Sequence, residues 1–81
     1  MAKPSAKHAG NPVLVKLGIA IRAIRARQDI SQEGLANRAL LDRSYMGGIE
    51  RGEHNLTIIN LIKIADQLGV APSEILRKAG L

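Results

Sequence analysis

The sequence predicts an all-α domain built from five short helices. Apolar residues recur at spacings of three and four, cap-forming residues precede most of these segments, and no segment alternates with the period of two that a strand requires. The 81 residues suit a single domain. We expect residues 11–81 to form it, and residues 1–10, which lack apolar periodicity, to form a flexible N-terminal tail.

The first helix is predicted to begin at Pro12, because Asn11 can cap it and proline suits the first helical position. It is expected to end near Gln28. One apolar stripe runs along this helix and predicts a buried face. The stripe comprises Leu14, Leu17, Ile21 and Ile24.

The middle of the chain contains two helix starts separated by a very short connection. Ser31 is an N-cap residue and predicts a second helix of about nine residues. Leu40 and Leu41 leave room only for a tight turn, after which Asp42 caps a third helix that Gly52 can end. Two helices joined this closely must cross steeply, which is the helix-turn-helix arrangement. The second helix of such a unit typically enters the major groove of DNA.

The fourth helix is predicted to begin after Thr57, another N-cap residue, and to end at Gly69. Its core face is expected to consist of residues that repeat at three and four, namely Ile58, Leu61, Ile62, Ala65 and Leu68. Pro72 then begins a short fifth helix that carries Ile75 and Leu76.

The composition favours some classes of function and excludes others. Twelve lysines and arginines against seven acidic residues give a net charge of +5, which favours a polyanionic partner. Cysteine is absent, and neither His8 nor His54 has a companion at metal-ligand spacing, so we expect no metal site. No serine has a histidine and an acid arranged beside it, so we expect neither an enzyme nor a cofactor. No apolar run approaches membrane-spanning length, which favours a cytoplasmic protein without a membrane partner.

Four motifs follow one another along the chain: Ser31-Gln32-Glu33, Leu35-Ala36, Ile49-Glu50-Arg51-Gly52, and Asn55 ahead of the apolar fourth helix. With these motifs, residues 12–79 resemble the Cro/repressor-type (XRE) helix-turn-helix family. Within that family, residues 41–65 are most similar to the controller proteins of restriction–modification systems. The resemblance implies a compact five-helix Cro/repressor-like fold and a sequence-specific transcriptional regulator that binds its own promoter.

The expected partner is double-stranded DNA, because single-stranded recognition needs several stacking aromatic residues and Tyr45 is the only aromatic residue here. One recognition helix reads few base pairs, so we expect a homodimer on a near-palindromic operator. Activation by a controller implies a contact with RNA polymerase, for which Glu33 is the candidate. A phage-type repressor, an antitoxin that binds a toxin protein, and a nonspecific architectural protein are the alternatives.

The base contacts are predicted at Arg43, Ser44, Tyr45 and Gly48. Arg43 can bond guanine O6 and N7, and the Ser44 hydroxyl suits several bases, although both also fit a solvated helix start. Tyr45 can equally pack its ring against the second helix. Gly48 lies one turn beyond Ser44, where a missing side chain lets the helix seat against DNA, whereas Gly47 is expected on the inner side.

The phosphate contacts are predicted at both ends of the helix-turn-helix. Ser31 and Gln32 begin the second helix, where free backbone N–H groups and an amide suit a phosphate. Arg51, His54 and Asn55 follow the third helix and are expected to contact the other strand, with ordinary surface solvation as the alternative.

The resemblance also implies a structural ion pair between Arg25 and Glu50, and it reveals two departures. Leu40 stands where the family usually has glycine, so that either a left-handed leucine is tolerated or the turn differs. Gly34 stands where the family often has glutamate, so Ser31 caps its helix without a reciprocal partner.

Some apolar residues of the fourth and fifth helices exceed what the core needs. We expect a homodimer through the fifth helix and the end of the fourth. The predicted interface residues are Ile59, Ile64, Ile75, Leu76 and Leu81.

Overall fold

In the computed structural model, which describes residues 3–81, the chain forms five α-helices. They are α1 (Pro12–Arg27), α2 (Gln32–Arg38), α3 (Arg43–Glu50), α4 (Ile58–Leu68) and α5 (Pro72–Lys78). The residues described contain no strand, so the all-α prediction is confirmed. With seven residues, α2 is shorter than expected. Over residues 3–81, none of these helices has the length and apolar content that a bilayer crossing requires.

The predicted N-cap residues begin four of the helices. Each cap side chain accepts a hydrogen bond from a backbone N–H two or three residues later, which satisfies a donor that the helix leaves free. The pairs are Asn11 with Val13, Ser31 with Gly34, Asp42 with Tyr45, and Thr57 with Asn60. Helix α5 begins differently, since the Glu74 carboxylate accepts from the N–H of Ala71 at 3.1 Å.

Every helix is followed by a residue in the left-handed conformation. These residues are Asp29, Leu40, Gly52, Gly69 and Gly80. At Leu40 φ is 57°. The Leu40 N–H donates to the carbonyl of Asn37 at 3.2 Å, and the Leu41 N–H donates to that of Ala36 at 2.8 Å, the pair of bonds that defines a Schellman ending. The turn between α2 and α3 therefore keeps the left-handed geometry, with leucine in the place of glycine.

The hydrophobic core lies where all five helices meet. Helix α1 packs against α3 and α5, while α2 packs against α3 and α4. The largest fully buried side chains come one from each helix, in the order Ile21, Leu35, Met46, Ile64 and Ile75. The predicted stripe of α1 is buried throughout. Each helix thus depends on the others to remove its apolar face from water.

The buried face of α4 differs from the expected one. Ile58 and Ile62, predicted to be core residues, are 68% and 42% exposed, whereas Ile64 is 0% exposed. The observed face consists of Leu61, Ile64, Ala65 and Leu68. This set also repeats at three and four, so the hydrophobic period fits both faces and does not choose between them.

Helices α1 and α3 approach each other closely at Gly18. A Cβ atom at this position would collide with the carbonyl oxygens of Ile49 and Glu50 at the end of α3. Glycine therefore allows the backbone of α1 to support α3 directly. This contact fixes the position of the second helix of the helix-turn-helix unit.

The segment before α1 contacts the loop after α3. The Ser5 N–H donates to the carbonyl of Glu53 at 2.8 Å, and the Gly10 N–H donates to that of Gly52 at 2.9 Å. Residues 6–10 form turns between these two contacts. Met1 and Ala2, which belong to the predicted flexible tail, lie outside the described residues. The part of that tail that the structure describes is thus bonded to the domain at two points.

Candidate nucleic-acid interface

Helix α3 borders a surface pocket of about 180 Å³. Its lining comprises Gln32, Arg43, Ser44, Gly47 and Arg51. Arg43, Gly47 and Arg51 are spaced by four residues, so they share one face of the helix and its C-terminal cap. Two guanidinium groups, an amide and a hydroxyl around one cavity form a set of donors that suits a phosphate or the edge of a base.

Arg43 and Ser44 occupy the first two positions of α3, directly after its cap residue Asp42. Arg43 is exposed and Ser44 is half-buried. Within residues 3–81, no carboxylate forms a salt bridge with Arg43. Its guanidinium is therefore available to a ligand, which is the condition that bidentate base recognition requires.

The two glycines of α3 face directions opposite to those expected. A Cβ atom at Gly47 would lie 3.0 Å from Arg51 Nη1 and 3.2 Å from Gln32 Oε1, which puts this position at the pocket. A Cβ atom at Gly48 would collide with the imidazole of His54. The prediction that Gly48 seats the helix against DNA is therefore wrong, because the His54 ring covers it. Gly47, expected on the inner side, is the residue that opens the pocket.

The expected ion pair between Arg25 and Glu50 is present behind the pocket. Arg25 Nε and Nη2 donate to the two Glu50 carboxylate oxygens at 2.7 and 2.9 Å, and Nη1 donates to the Ile30 carbonyl at 2.9 Å. The hydrogen bond to Glu50 raises the pKa of Arg25. The Glu50 side chain is 3% exposed. The negative charge of Glu50 in α3 is thus balanced by Arg25, and its carboxylate is turned away from the surface.

Gln32 bonds to this ion pair and also lines the pocket. Its Nε2 donates to Glu50 Oε1 at 3.0 Å. An amide nitrogen carries two hydrogens, so one donor and the carbonyl oxygen stay available on the pocket side. The predicted phosphate contact of Gln32 is compatible with this geometry, and the hydrogen bond to Glu50 orients the amide.

Arg51 pairs with Glu53 in the loop after α3. Arg51 Nε and Nη2 donate to the Glu53 carboxylate at 2.9 and 3.1 Å. These hydrogen bonds lower the pKa of Glu53 and raise that of Arg51. The Arg51 side chain is 61% exposed, and ion pairs in water are weak. Arg51 can therefore exchange Glu53 for a phosphate at little cost.

Tyr45 and His54 pack against each other beside α3. Their ring centroids lie 4.8 Å apart, with the planes inclined by 46°. Asn60 Nδ2 donates to the Tyr45 hydroxyl at 3.1 Å. His54 Nε2 is buried over Gly48 without a hydrogen-bond partner among the described residues. The phosphate contact predicted for His54 would therefore fall to Nδ1, since the ring turns Nε2 towards α3.

Two further predicted phosphate contacts, Ser31 and Asn55, are exposed. Ser31 Oγ accepts from the Gly34 N–H at 2.9 Å, which leaves the hydroxyl hydrogen free to donate. Within residues 3–81, no three His, Asp or Glu side chains are grouped in a way that would hold a metal ion.

Comparison with known proteins assigns the family. The profile described as "Helix-turn-helix" matches residues 21–75. The chain belongs to the helix-turn-helix family. The family consists of DNA-binding transcription regulators, so the predictions of a regulator and of no enzymatic activity are confirmed.

Several helix-turn-helix relatives are control proteins. Control protein C.MunI from Mycoplasma sp is 36% identical over 66 residues, which cover 80% of this chain and 89% of that protein. Control protein C.BamHI from Bacillus amyloliquefaciens is 39% identical over 67 residues, which cover 82% and 83%. The crystal structure of the restriction–modification controller protein C.AhdI from Aeromonas hydrophila matches with a TM-score of 0.75 and 45% identity, covering 76% of this chain and 94% of that one.

The contacts within this helix-turn-helix domain that the sequence did not predict include those of Arg51 with Glu53 and of Asn60 with Tyr45. The pairing of Arg51 with Glu53 had a signal, since opposite charges stand two residues apart after a helix. The bond from Asn60 to Tyr45 had none, because packing of α4 brings together residues 15 positions apart.

The predicted dimer interface needs correction at two of its residues. Ile64 and Ile75 are each 0% exposed and belong to the core of one chain, so they cannot reach a partner. Ile59 is 68% and Leu81 is 51% exposed, while Leu76 is half-buried. These three stay candidates for contact with a second chain.

Proposed function

We propose that this helix-turn-helix protein is the controller of a restriction–modification system, acting in the cytoplasm on the promoter of its own gene. The observation that carries DNA binding is the pocket on α3, which places Arg43, Ser44 and Arg51 around one opening. The identity shared with several control proteins supports the role of a controller.

In this proposal, some residues at the pocket contact bases and others contact phosphates. Arg43 and Ser44 lie in the first turn of α3, the part of a recognition helix that reaches base edges in the major groove. Gln32 and Arg51, which line the same pocket, and the exposed Asn55 hold the phosphate backbone. The net charge of +5 adds attraction to DNA that does not depend on sequence.

A homodimer accounts for recognition of a near-palindromic operator. Two copies of α3 would bind half-sites about 34 Å apart, one turn of the duplex. Ile59, Leu76 and Leu81 supply the interface, since all three keep apolar surface outside the core. Sedimentation over a range of concentrations tests this point, and Ile59→Glu is expected to shift the protein to monomers. A monomer at every concentration of the unmodified protein contradicts the proposal.

Activation by the controller requires contact with RNA polymerase. Glu33 is exposed in the first turn of α2, where a carboxylate can bind a basic surface of the polymerase. Glu33→Gln is expected to abolish activation in a transcription assay while leaving DNA affinity unchanged. A parallel loss of DNA affinity would remove Glu33 from this role.

The first test is binding to the DNA immediately upstream of the gene, compared with random DNA at several salt concentrations. A preference of about 10³ or more at fixed salt is expected of a specific regulator. Equal affinity, with the same salt dependence for both DNAs, would indicate phosphate contacts alone and would contradict the proposal.

Two arginine variants test the division of contacts. Arg43→Ala and Arg51→Ala remove the same charge from the same pocket, so each serves as the control of the other. Arg43→Ala is expected to cost about 1–3 kcal/mol on the operator and little on random DNA. Arg51→Ala is expected to weaken both DNAs equally and to lower the salt slope by about 1. Equal losses on both DNAs for both variants would contradict the division.

A further inference from the structure

We infer that His54 is a positioning residue for Tyr45, and that position 48 is glycine in order to admit the His54 imidazole beside the recognition helix. This inference rests on the proposed function, since it concerns how α3 presents Tyr45 to DNA. The observation behind it is the packing of three residues into one contact. Gly48 provides the space, His54 fills it, and the Tyr45 ring packs against the imidazole.

Gly48 stands in the interior of α3, where glycine is less favourable than alanine. A Cβ atom there would collide with Cδ2 and Nε2 of His54, while its next neighbour, Glu53 Oε1, would lie at an ordinary 3.5 Å. His54 is thus the neighbour that would have to move to make room for any side chain at position 48. The glycine is explained by the histidine and not by contact with another helix.

The burial of the His54 Nε2 atom points to packing as one role of this half-buried side chain. A buried polar atom without a hydrogen bond is unfavourable, and Nε2 has no partner among residues 3–81. Only Nδ1 is then left for a contact outside the protein, so packing accounts for the orientation of the ring. The contact that offsets the burial is the tilted aromatic pair with Tyr45.

The same arrangement determines what the Tyr45 hydroxyl can recognise. Asn60 Nδ2 donates to the hydroxyl oxygen, so the hydroxyl acts as an acceptor within the protein. Its own hydrogen then stays available to donate to an acceptor outside the protein. Tyr45, held by His54 at the ring and by Asn60 at the hydroxyl, is therefore a donor for a phosphate oxygen or for a base acceptor in the groove.

The first test uses the free protein and does not depend on DNA. Tyr45 is the only aromatic residue apart from the histidines, with no Trp and no Phe in the chain, so tyrosine fluorescence and near-UV circular dichroism report on it alone. His54→Ala is expected to change both signals and to lower the fluorescence anisotropy. The matched control is His8→Ala, which removes the other histidine and is expected to leave them unchanged. Unchanged tyrosine signals in His54→Ala would overturn the inference.

The second test measures the Tm change caused by one substitution in two backgrounds, where opposite signs are expected. Gly48→Ala is expected to lower Tm in the otherwise unchanged protein, because the new methyl group displaces the imidazole. In the His54→Ala protein the space is empty, and the same substitution is expected to raise Tm by about 4–8 °C through the higher helix propensity of alanine. A decrease in both backgrounds would show that Gly48 is required for another reason and would overturn the role given to it.

The third test asks whether His54 acts on DNA through Tyr45 or by itself. His54→Ala is expected to weaken operator binding about tenfold, roughly the value of one hydrogen bond. In the Tyr45→Phe protein, which lacks the hydroxyl, the same change is expected to have less than about a twofold effect, since the effects of two residues acting through one contact do not add. His54→Phe keeps a ring in place and is expected to restore most of the affinity.

Two results would show that His54 contacts DNA directly and would overturn the inference. One is that His54→Ala weakens binding equally in the Tyr45 protein and in the Tyr45→Phe protein. The other is that His54→Phe fails to restore binding. If the unmodified protein shows no preference for its upstream DNA, the proposed function fails instead. The spectra of the free protein still decide whether His54 positions Tyr45, so the two failures are distinguishable.

Discussion

The turns at the two ends of α3 share one backbone conformation in different surroundings. Leu40 precedes α3 with φ of 57°, and Gly52 follows it with φ of 74°. Leu40 is 87% exposed. Gly52 is buried, and a Cβ atom there would lie 2.7 Å from the Val15 Cα atom in α1. A left-handed turn on the surface thus tolerates a side chain, whereas the turn packed on α1 requires glycine.

Both turns are closed by equivalent hydrogen bonds. The Leu41 N–H donates to the Ala36 carbonyl at 2.8 Å, and the Glu53 N–H donates to the Gly48 carbonyl at 2.9 Å. Because the hydrogen bonding matches, the difference between the turns lies in backbone strain at Leu40 and in space at Gly52. Substitutions at the left-handed positions separate the free-energy cost of backbone strain from that of overpacking.

The largest effect is expected from Gly52→Ala. Left-handed strain costs a non-glycine residue about 1–2 kcal/mol, and overpacking against the backbone of α1 adds about 1–3 kcal/mol. We expect the free energy of unfolding, measured with urea, to fall by about 3 kcal/mol. A loss of only about 1–2 kcal/mol, the cost of left-handed strain alone, would mean that α1 shifts to accommodate the methyl group and that the two turns are equally tolerant.

Gly69→Ala is expected to have a smaller effect. Gly69 has φ of 68° with no atom within 4 Å of a Cβ at that position. Backbone strain is then the only penalty, and the free energy of unfolding should fall by about 1 kcal/mol. The same urea titration checks this, and the difference from Gly52→Ala measures the contact with Val15. A loss as large as that of Gly52→Ala would assign both effects to the backbone alone.

The smallest effect, with the opposite sign, is expected from Leu40→Gly. Glycine relieves the strain of the left-handed turn, while its greater freedom in the unfolded chain offsets part of the gain. We expect stability to rise by about 0.5 kcal/mol with operator affinity unchanged. Leu40→Ala is the control, since it removes the exposed side chain but keeps the strain. Equal stabilisation by both variants would attribute the effect to the side chain.

Much of the fold follows from local chemistry that the sequence displays. Asn11, Ser31, Asp42 and Thr57 cap their helices because each side chain bonds a backbone N–H only two or three residues away. The stripe of α1 repeats at three and four, and the positions between its members are mostly charged or small, apart from Val15 and Ile19. These features need no information about the rest of the molecule.

The buried face of α4 could not be chosen in this way. Isoleucine occupies positions 58, 59, 62 and 64, so more than one face satisfies the helical period. The packing of α4 against α2 and α5 selects the face that contains Ile64. The error at α4 then carried over to the dimer interface, where Ile64 was counted as a surplus apolar residue.

The candidate site likewise contains residues that the sequence predicts and residues that only packing places. Arg43, Ser44 and the pair of Arg25 with Glu50 follow from their positions in a recognisable motif, since a helix start and a recurrent ion pair are tied to spacing along the chain. The facing of Gly47 and Gly48, and the burial of His54 between Gly48 and Tyr45, depend on how the loop after α3 folds back over that helix. These residues lie only six and nine positions apart, but neither a helical period nor a cap specifies the path of this loop, so only the folded structure places the ring.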